Sequence, residues 1–128
     1  MINPLKAIIG HHCMRIGAGK IIIEGDGILP SLATQEVFRD LTKSNDHNYR
    51  TLIRTIFLVE DDKKKILNNF RKRGRGFNET NIEVQNSIAH ASWLFGKWLC
   101  EEAQAHNLPI LSSTPNETVV ERFMESIN

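Results

Sequence analysis

Apolar residues recur at three- and four-residue intervals at both ends of this chain, and between those stretches they gather into short unbroken runs. Leu5, Ile8, Ile9, His12, Cys13 and Ile16 lie at helical spacing and predict an opening helix. Asn3 suits its cap, Pro4 its first turn and Gly17 its left-handed end. Ile21-Ile22-Ile23 is β-branched throughout, the pattern of a strand buried on both faces. A second helix is expected from about Ala33 to Thr42 with Val37, Phe38 and Leu41 inward, followed by a polar loop over Lys43 to Asn48.

A second buried strand is expected over about Leu52 to Val59. Asp61 or Asp62 then caps a short helix running through Ile66, Leu67 and Phe70, which Gly74 ends. A long helix follows from about Asn81 to His106, its stripe marked by Ile88, Ala91, Leu94/Phe95, Trp98/Leu99 and Glu102/Ala103. Trp93, Phe95 and Trp98 belong by default to a core or an interface. Leu108-Pro109-Ile110-Leu111 predicts a third short strand. Thr114-Pro115-Asn116-Glu117 reads as a capping box opening a last helix, with Val119, Val120, Phe123 and Ile127 inside.

Strands alternating with helices predict an α/β, three-layer fold around a small parallel sheet of about three strands. At 128 residues the chain is read as a single domain, 1–128. The apolar fraction of 41% and net charge of +1 are those of an ordinary globular protein, so any basic site has to be local. Cys13 and Cys100 lack metal-type spacing and read as free thiols. Charge interrupts every apolar run and no signal pattern opens the chain, so no membrane contact and a cytoplasmic location are expected.

Gly17-Ala18-Gly19-Lys20 mimics a phosphate loop, but Met14 stands where the pattern needs glycine and Ile21 where it needs Ser or Thr. The segment also leaves a helix and enters a strand, the reverse of the required order. It is read as a helix terminator and turn. Glu24-Gly25-Asp26-Gly27 is better placed, because ligands of open α/β sheets gather at the carboxyl ends of strands. Carboxylates there hold magnesium through water or accept a proton; the plain alternative is a tight turn with two solvated acids.

Arg71-Lys72-Arg73-Gly74-Arg75-Gly76-Phe77 is the densest charge feature. Guanidinium groups grip phosphate bidentately, and paired glycines let such a loop close over a phosphoryl group. A solvated helix end with dipole-matched cations is the plain alternative. The Arg-Gly segment beside Phe77 also fits an RNA-binding reading, but no second basic-aromatic patch supports it, and nucleic acid is not the expected partner. His11-His12-Cys13, His47, His90 and His106 show no metal or triad spacing.

In order, EGDGILP, RTIFLVEDD, ILNNFRKRGRGF, ASWLFGKWLCEEA, LPIL and TPNETVVERF resemble the C-terminal two thirds of a P-loop small-molecule kinase, in the group of nucleoside monophosphate kinases and 2-phosphoglycerate kinase-like proteins. That resemblance implies an incomplete P-loop NTPase-like fold lacking the first strand, the Walker A loop and its helix. It implies ATP and Mg2+ as cofactors and a small-molecule phosphate acceptor. Asp26, with Glu24, would be the Walker B-like acid near magnesium. Arg71, Arg73 and Arg75 would form the lid, with Arg75 also touching nucleotide, and Ser113 and Pro115 would pass beside the base. Without the phosphate cradle the chain is expected to be inactive alone. Met1 reads either as an internal start or as the start of a true remnant. A non-catalytic interaction module on the same fold is the alternative. The bare apolar edge of a reduced sheet predicts self-association, a homodimer or larger.

Overall fold

The structure is a computed structural model that describes residues 4–14, 20–34, 37–39, 46–48 and 53–127. The chain divides into two compact units, Met1–Thr55 and Ile56–Asn128. Among the described residues no helix is long and apolar enough to cross a membrane.

In the first unit, α1 spans Pro4–Met14 as its sequence periodicity requires, and it packs against strand β1. Asn3 and Gly17, expected to cap and end that helix, lie outside the described residues, as do Ala18 and Gly19. The helix expected over 33–42 is corrected. Helix α2 is one turn, Pro30–Ala33, closed by the Thr34 hydroxyl donating to the carbonyls of Pro30 and Ser31, 3.2 Å each. Val37–Arg39 then forms β1, antiparallel to β2, Asp46–Asn48, with Val37 opposite Asn48 and Arg39 opposite Asp46. The β-branched and aromatic pair Val37-Phe38 prefers a pleated strand, and here that local preference wins over the wider helical spacing.

Ile21-Ile22-Ile23 forms no strand, which is the main correction to the sheet. Ile21 and Ile22 face water, Ile22 at 78% exposure. An apolar run becomes a buried strand only when a ladder partner and a covering layer meet it, and among the described residues this one has no ladder partner and only Ile23 is half-buried.

In the second unit, β3 (Phe57–Val59) pairs in parallel with β4 (Ile110–Ser112), Phe57 beside Ile110 and Val59 beside Ser112. The described parallel sheet therefore has two strands, not three. Phe57 N–H to Pro109 O (3.0 Å) and Ser113 N–H to Val59 O (2.9 Å) extend the ladder at its two ends. Phe57 and Val59 are buried while Leu58, on the other face, is 51% exposed. Between the strands lie α3 (Lys63–Arg73) and the long α4 (Ile82–Ala105), the latter as expected and capped by Asn81, whose Oδ1 accepts from Val84 N–H at 2.9 Å.

Helix α4 packs on β3, β4 and α3 through small residues. Ala89, Gly96 and Ala103 are buried, and a Cβ on Gly96 would stand 3.2 Å from Val59 Cγ1. The large apolar residues expected to mark the packed stripe, Ile88, Leu94, Phe95 and Trp98, are exposed instead. After β4, the expected capping box does not form. Pro115 is extended and caps nothing with its side chain, a 3-10 turn covers Asn116–Thr118, and α5 runs over Val119–Ile127 against β4.

Candidate functional site

Helix α3 starts because Asp62 caps it, its Oδ1 accepting from Lys64 N–H at 2.8 Å and Lys65 N–H at 3.3 Å. Ile66, Leu67, Phe70 and Arg71 are its less exposed positions, and the other cations are exposed. Gly74, at φ 68°, stops the helix as expected, its N–H meeting the carbonyls of Phe70 and Arg71 at 3.2 Å each. Gly74 to Phe77 then make a tight turn, closed by Phe77 N–H to Gly74 O at 2.8 Å. Both central residues have positive φ, Arg75 at 48° and Gly76 at 79°. Glycine holds that geometry at little cost, whereas Arg75 costs about 1 kcal/mol there. The turn sets Arg75 at its tip, exposed.

A buried amide fixes the base of this turn. Gln85 Oε1 accepts from Arg71 Nε at 3.0 Å, and its Nε2 donates to Thr80 O at 3.0 Å and Phe77 O at 3.3 Å. Each bond is worth about 1 kcal/mol, and losing the amide would remove all three at once. The three arginines therefore divide. Arg71 is half-buried and anchored, while Arg73 and Arg75 are exposed with no hydrogen bond or ion pair among the described residues. Phe77 packs on Phe70 at 5.2 Å between ring centroids, so one face of its ring is occupied.

At the carboxyl edge of the parallel pair, Glu60 follows β3 and Ser113 follows β4. Glu60 Oε1 accepts from Asp62 N–H at 3.1 Å and its Oε2 from the Ser113 hydroxyl at 3.3 Å. Lys65 Nζ donates to Thr114 Oγ1 at 3.3 Å. Arg122 of α5 reaches back, donating from Nη1 to Ser112 O (2.8 Å), from Nη2 to Pro115 O (3.0 Å) and from Nε to Thr118 Oγ1 (3.2 Å). Lys65, Asn68, Asn69 and Lys72, spaced as one helix face, line an open groove of about 310 Å³ together with Thr114, Pro115, Asn116 and Glu117. Every side chain that α3 gives this groove can donate a hydrogen bond.

Of the residues expected at a site, Arg71, Arg73, Arg75, Ser113 and Pro115 belong to the second unit and Glu24 and Asp26 to the first. Asp26 and Glu24 are exposed, Asp26 in a turn closed by Ile28 N–H to Gly25 O at 3.2 Å and Glu24 just before it. The strand that ends in acids is β3, so the carboxylate at a sheet edge is Glu60. RTIFLVEDD carried that signal, an apolar run followed at once by three acids. Gln85 and Arg122 had no signal in one dimension, because their partners lie at the ends of other elements. Among the described residues no group of three His, Cys, Asp or Glu could hold a metal ion.

Burial, then the nearby Asp61 and Glu101 carboxylates, raises the pKa of the Cys100 thiol, since each disfavours the thiolate. Asp61 also gives its carbonyl to Trp93 Nε1 at 2.9 Å, which ties α4 to the β3–α3 connection. The indole ring has His90 stacked against it at 5.6 Å and Lys97 Nζ at 4.5 Å, so Trp93 is held structurally. Comparison with protein-family models, curated proteins and solved structures returns no match to this chain.

Proposed function

We propose that the second unit is a phosphate-binding α/β module of the P-loop small-molecule kinase type, taking the phosphates of an ATP-like nucleotide and performing no phosphotransfer by itself. The carrying observation is the charge distribution. Residues 63–75 hold seven of the 16 cations and no acid, so the other nine cations and 15 acids leave −6 on the rest of the chain. Seven cations on one short helix and its turn make a local field that the net charge conceals. Three of them, Lys72, Arg73 and Arg75, surround a strained turn that is braced from below by Gln85.

In this reading Arg71 positions the turn, Arg73 and Arg75 contact phosphate, and Lys65 and Lys72 extend the basic face along the groove. Ser113 and Pro115 border the ligand rather than grip it. Magnesium would travel with the nucleotide phosphates. With no Walker A pattern in residues 56–128, the module is read as lacking the positioning on which phosphoryl transfer depends. A small phosphate ligand is favoured over single-stranded nucleic acid because Phe77 is already packed on Phe70.

Titration calorimetry with MgATP and with inorganic triphosphate tests the proposal. Both should bind, and Arg73→Ala with Arg75→Ala should weaken each by about tenfold or more while circular dichroism stays unchanged. A folded sample giving no heat with either ligand ends the proposal. Tighter binding to single-stranded RNA than to nucleotide, falling steeply with salt, would transfer the surface to a polyanion.

A further inference from the structure

Helix α4 carries two stripes. Gln85, Ala89, Ser92, Gly96 and Ala103 form the inner one, turned to α3 and the sheet. Four of these five are buried and Ser92 is half-buried. Val84, Ile88, Ala91, Phe95 and Trp98 form the outer one, spaced four, three, four and three residues apart. At 3.6 residues per turn its axis lies about 100° around the helix from the inner stripe. Alternating four- and three-residue steps are the heptad spacing of a helix–helix seam. All five outer residues are exposed, with Leu94 beside them. Phe95 and Trp98 lie with ring centroids 5.5 Å apart.

We propose that this seam is a self-association surface, on which a second copy of the chain lays its own α4 antiparallel about a two-fold axis near Trp93. This goes beyond the phosphate-binding reading and uses none of its residues. The seam is self-complementary in size. In an antiparallel pair centred there, Phe95 of one copy faces Ala91 of the other, Ile88 faces Trp98 and Val84 faces Glu102, so in the central layers a large side chain meets a smaller one. Area argues the same way. Val84, Ile88, Leu94, Phe95 and Trp98, at 39% to 50% exposure, leave on the order of 400 Å² of apolar surface per copy. A symmetric pair that also buries the intervening helix surface reaches roughly 1,000 Å² in total, the threshold of a specific interface. None of the five stripe residues is charged, and Lys97, the charged side chain within that span, lies over the Trp93 ring instead.

Sedimentation equilibrium of the full chain, from low to high micromolar concentration, tests the proposal. The wild-type chain should dimerise, and Phe95→Glu should weaken the dimer by about tenfold or more while circular dichroism stays helical. Should Phe95→Glu fail to fold, Phe95→Ala and Ala91→Phe provide a charge-free test. Each should weaken association singly, and the double exchange should restore it by rebuilding the same layer with its sizes swapped. A wild-type monomer at every concentration overturns the proposal, whichever other surface covers the seam. So does a dimer that all of these variants leave intact.

Discussion

Two stretches of this chain look alike in sequence: Ile21-Ile22-Ile23-Glu24-Gly25-Asp26 and Ile56-Phe57-Leu58-Val59-Glu60-Asp61. Both are apolar runs closing on carboxylates. Only the second is a strand, with Phe57 and Val59 buried, a parallel partner alongside and Gly96 of α4 close above. The first stays irregular with Ile22 largely in water. What separates them is the supply of partners. The second run has Ile110-Leu111-Ser112 to pair with and a helix whose inner stripe is small enough to approach.

The largest consequence of that difference is in stability. Phe57→Ala should cost about 3–5 kcal/mol, because it opens a cavity beneath α4. Ile22→Ala should stay within about 0.5 kcal/mol. Urea unfolding followed by circular dichroism measures both, and equal costs would mean that the isoleucine run is packed after all. Next comes the covering layer. Gly96→Val should cost about 1–3 kcal/mol by driving a branched side chain against Val59, and Val59→Ala in the same chain should return part of it.

The acids differ as well, by a smaller margin. Asp62→Ala removes the two cap bonds of α3 and should cost about 1 kcal/mol, whereas Asp26→Ala removes no hydrogen bond among the described residues and should leave thermal unfolding unchanged. The smallest effect is on Cys100. Its raised pKa means less thiolate at any pH below that value, so iodoacetamide should alkylate it more slowly at pH 8 than a thiol in a short peptide. Asp61→Asn should recover part of the rate, since one of the carboxylates opposing the thiolate is gone. A rate equal to the peptide's would show that neither burial nor Asp61 acts there.

Much of the second unit was legible in sequence because its signals are local. Asp62 before a run of lysines, Gly74 after Arg73 and Asn81 before a long amphipathic stretch each act within one helical turn. The short first-unit strands were not, because Val37-Phe38 fits helix and strand templates equally until Asp46-His47-Asn48 lies opposite. On α4 the periodicity was visible but its direction was not. Large apolar residues are normally taken as the buried side, yet close approach to a sheet selects alanine and glycine, and the larger residues face outward. The arginine cluster was visible as composition. Its division into one anchored and two exposed guanidiniums depended on Gln85, fourteen residues away from Arg71.

Arg122 gives the last helix an influence beyond its own packing. Its guanidinium is held by the carbonyls of Ser112 and Pro115 and by the Thr118 hydroxyl, so the conformation of residues 112–118 is set by a side chain that enters the sequence only afterwards. The groove wall thus depends on α5 as well as on the residues that line it. For the same reason, a protease cut or a fusion joint placed between Thr118 and Arg122 would loosen the groove wall at Thr114 and Pro115 without touching either residue.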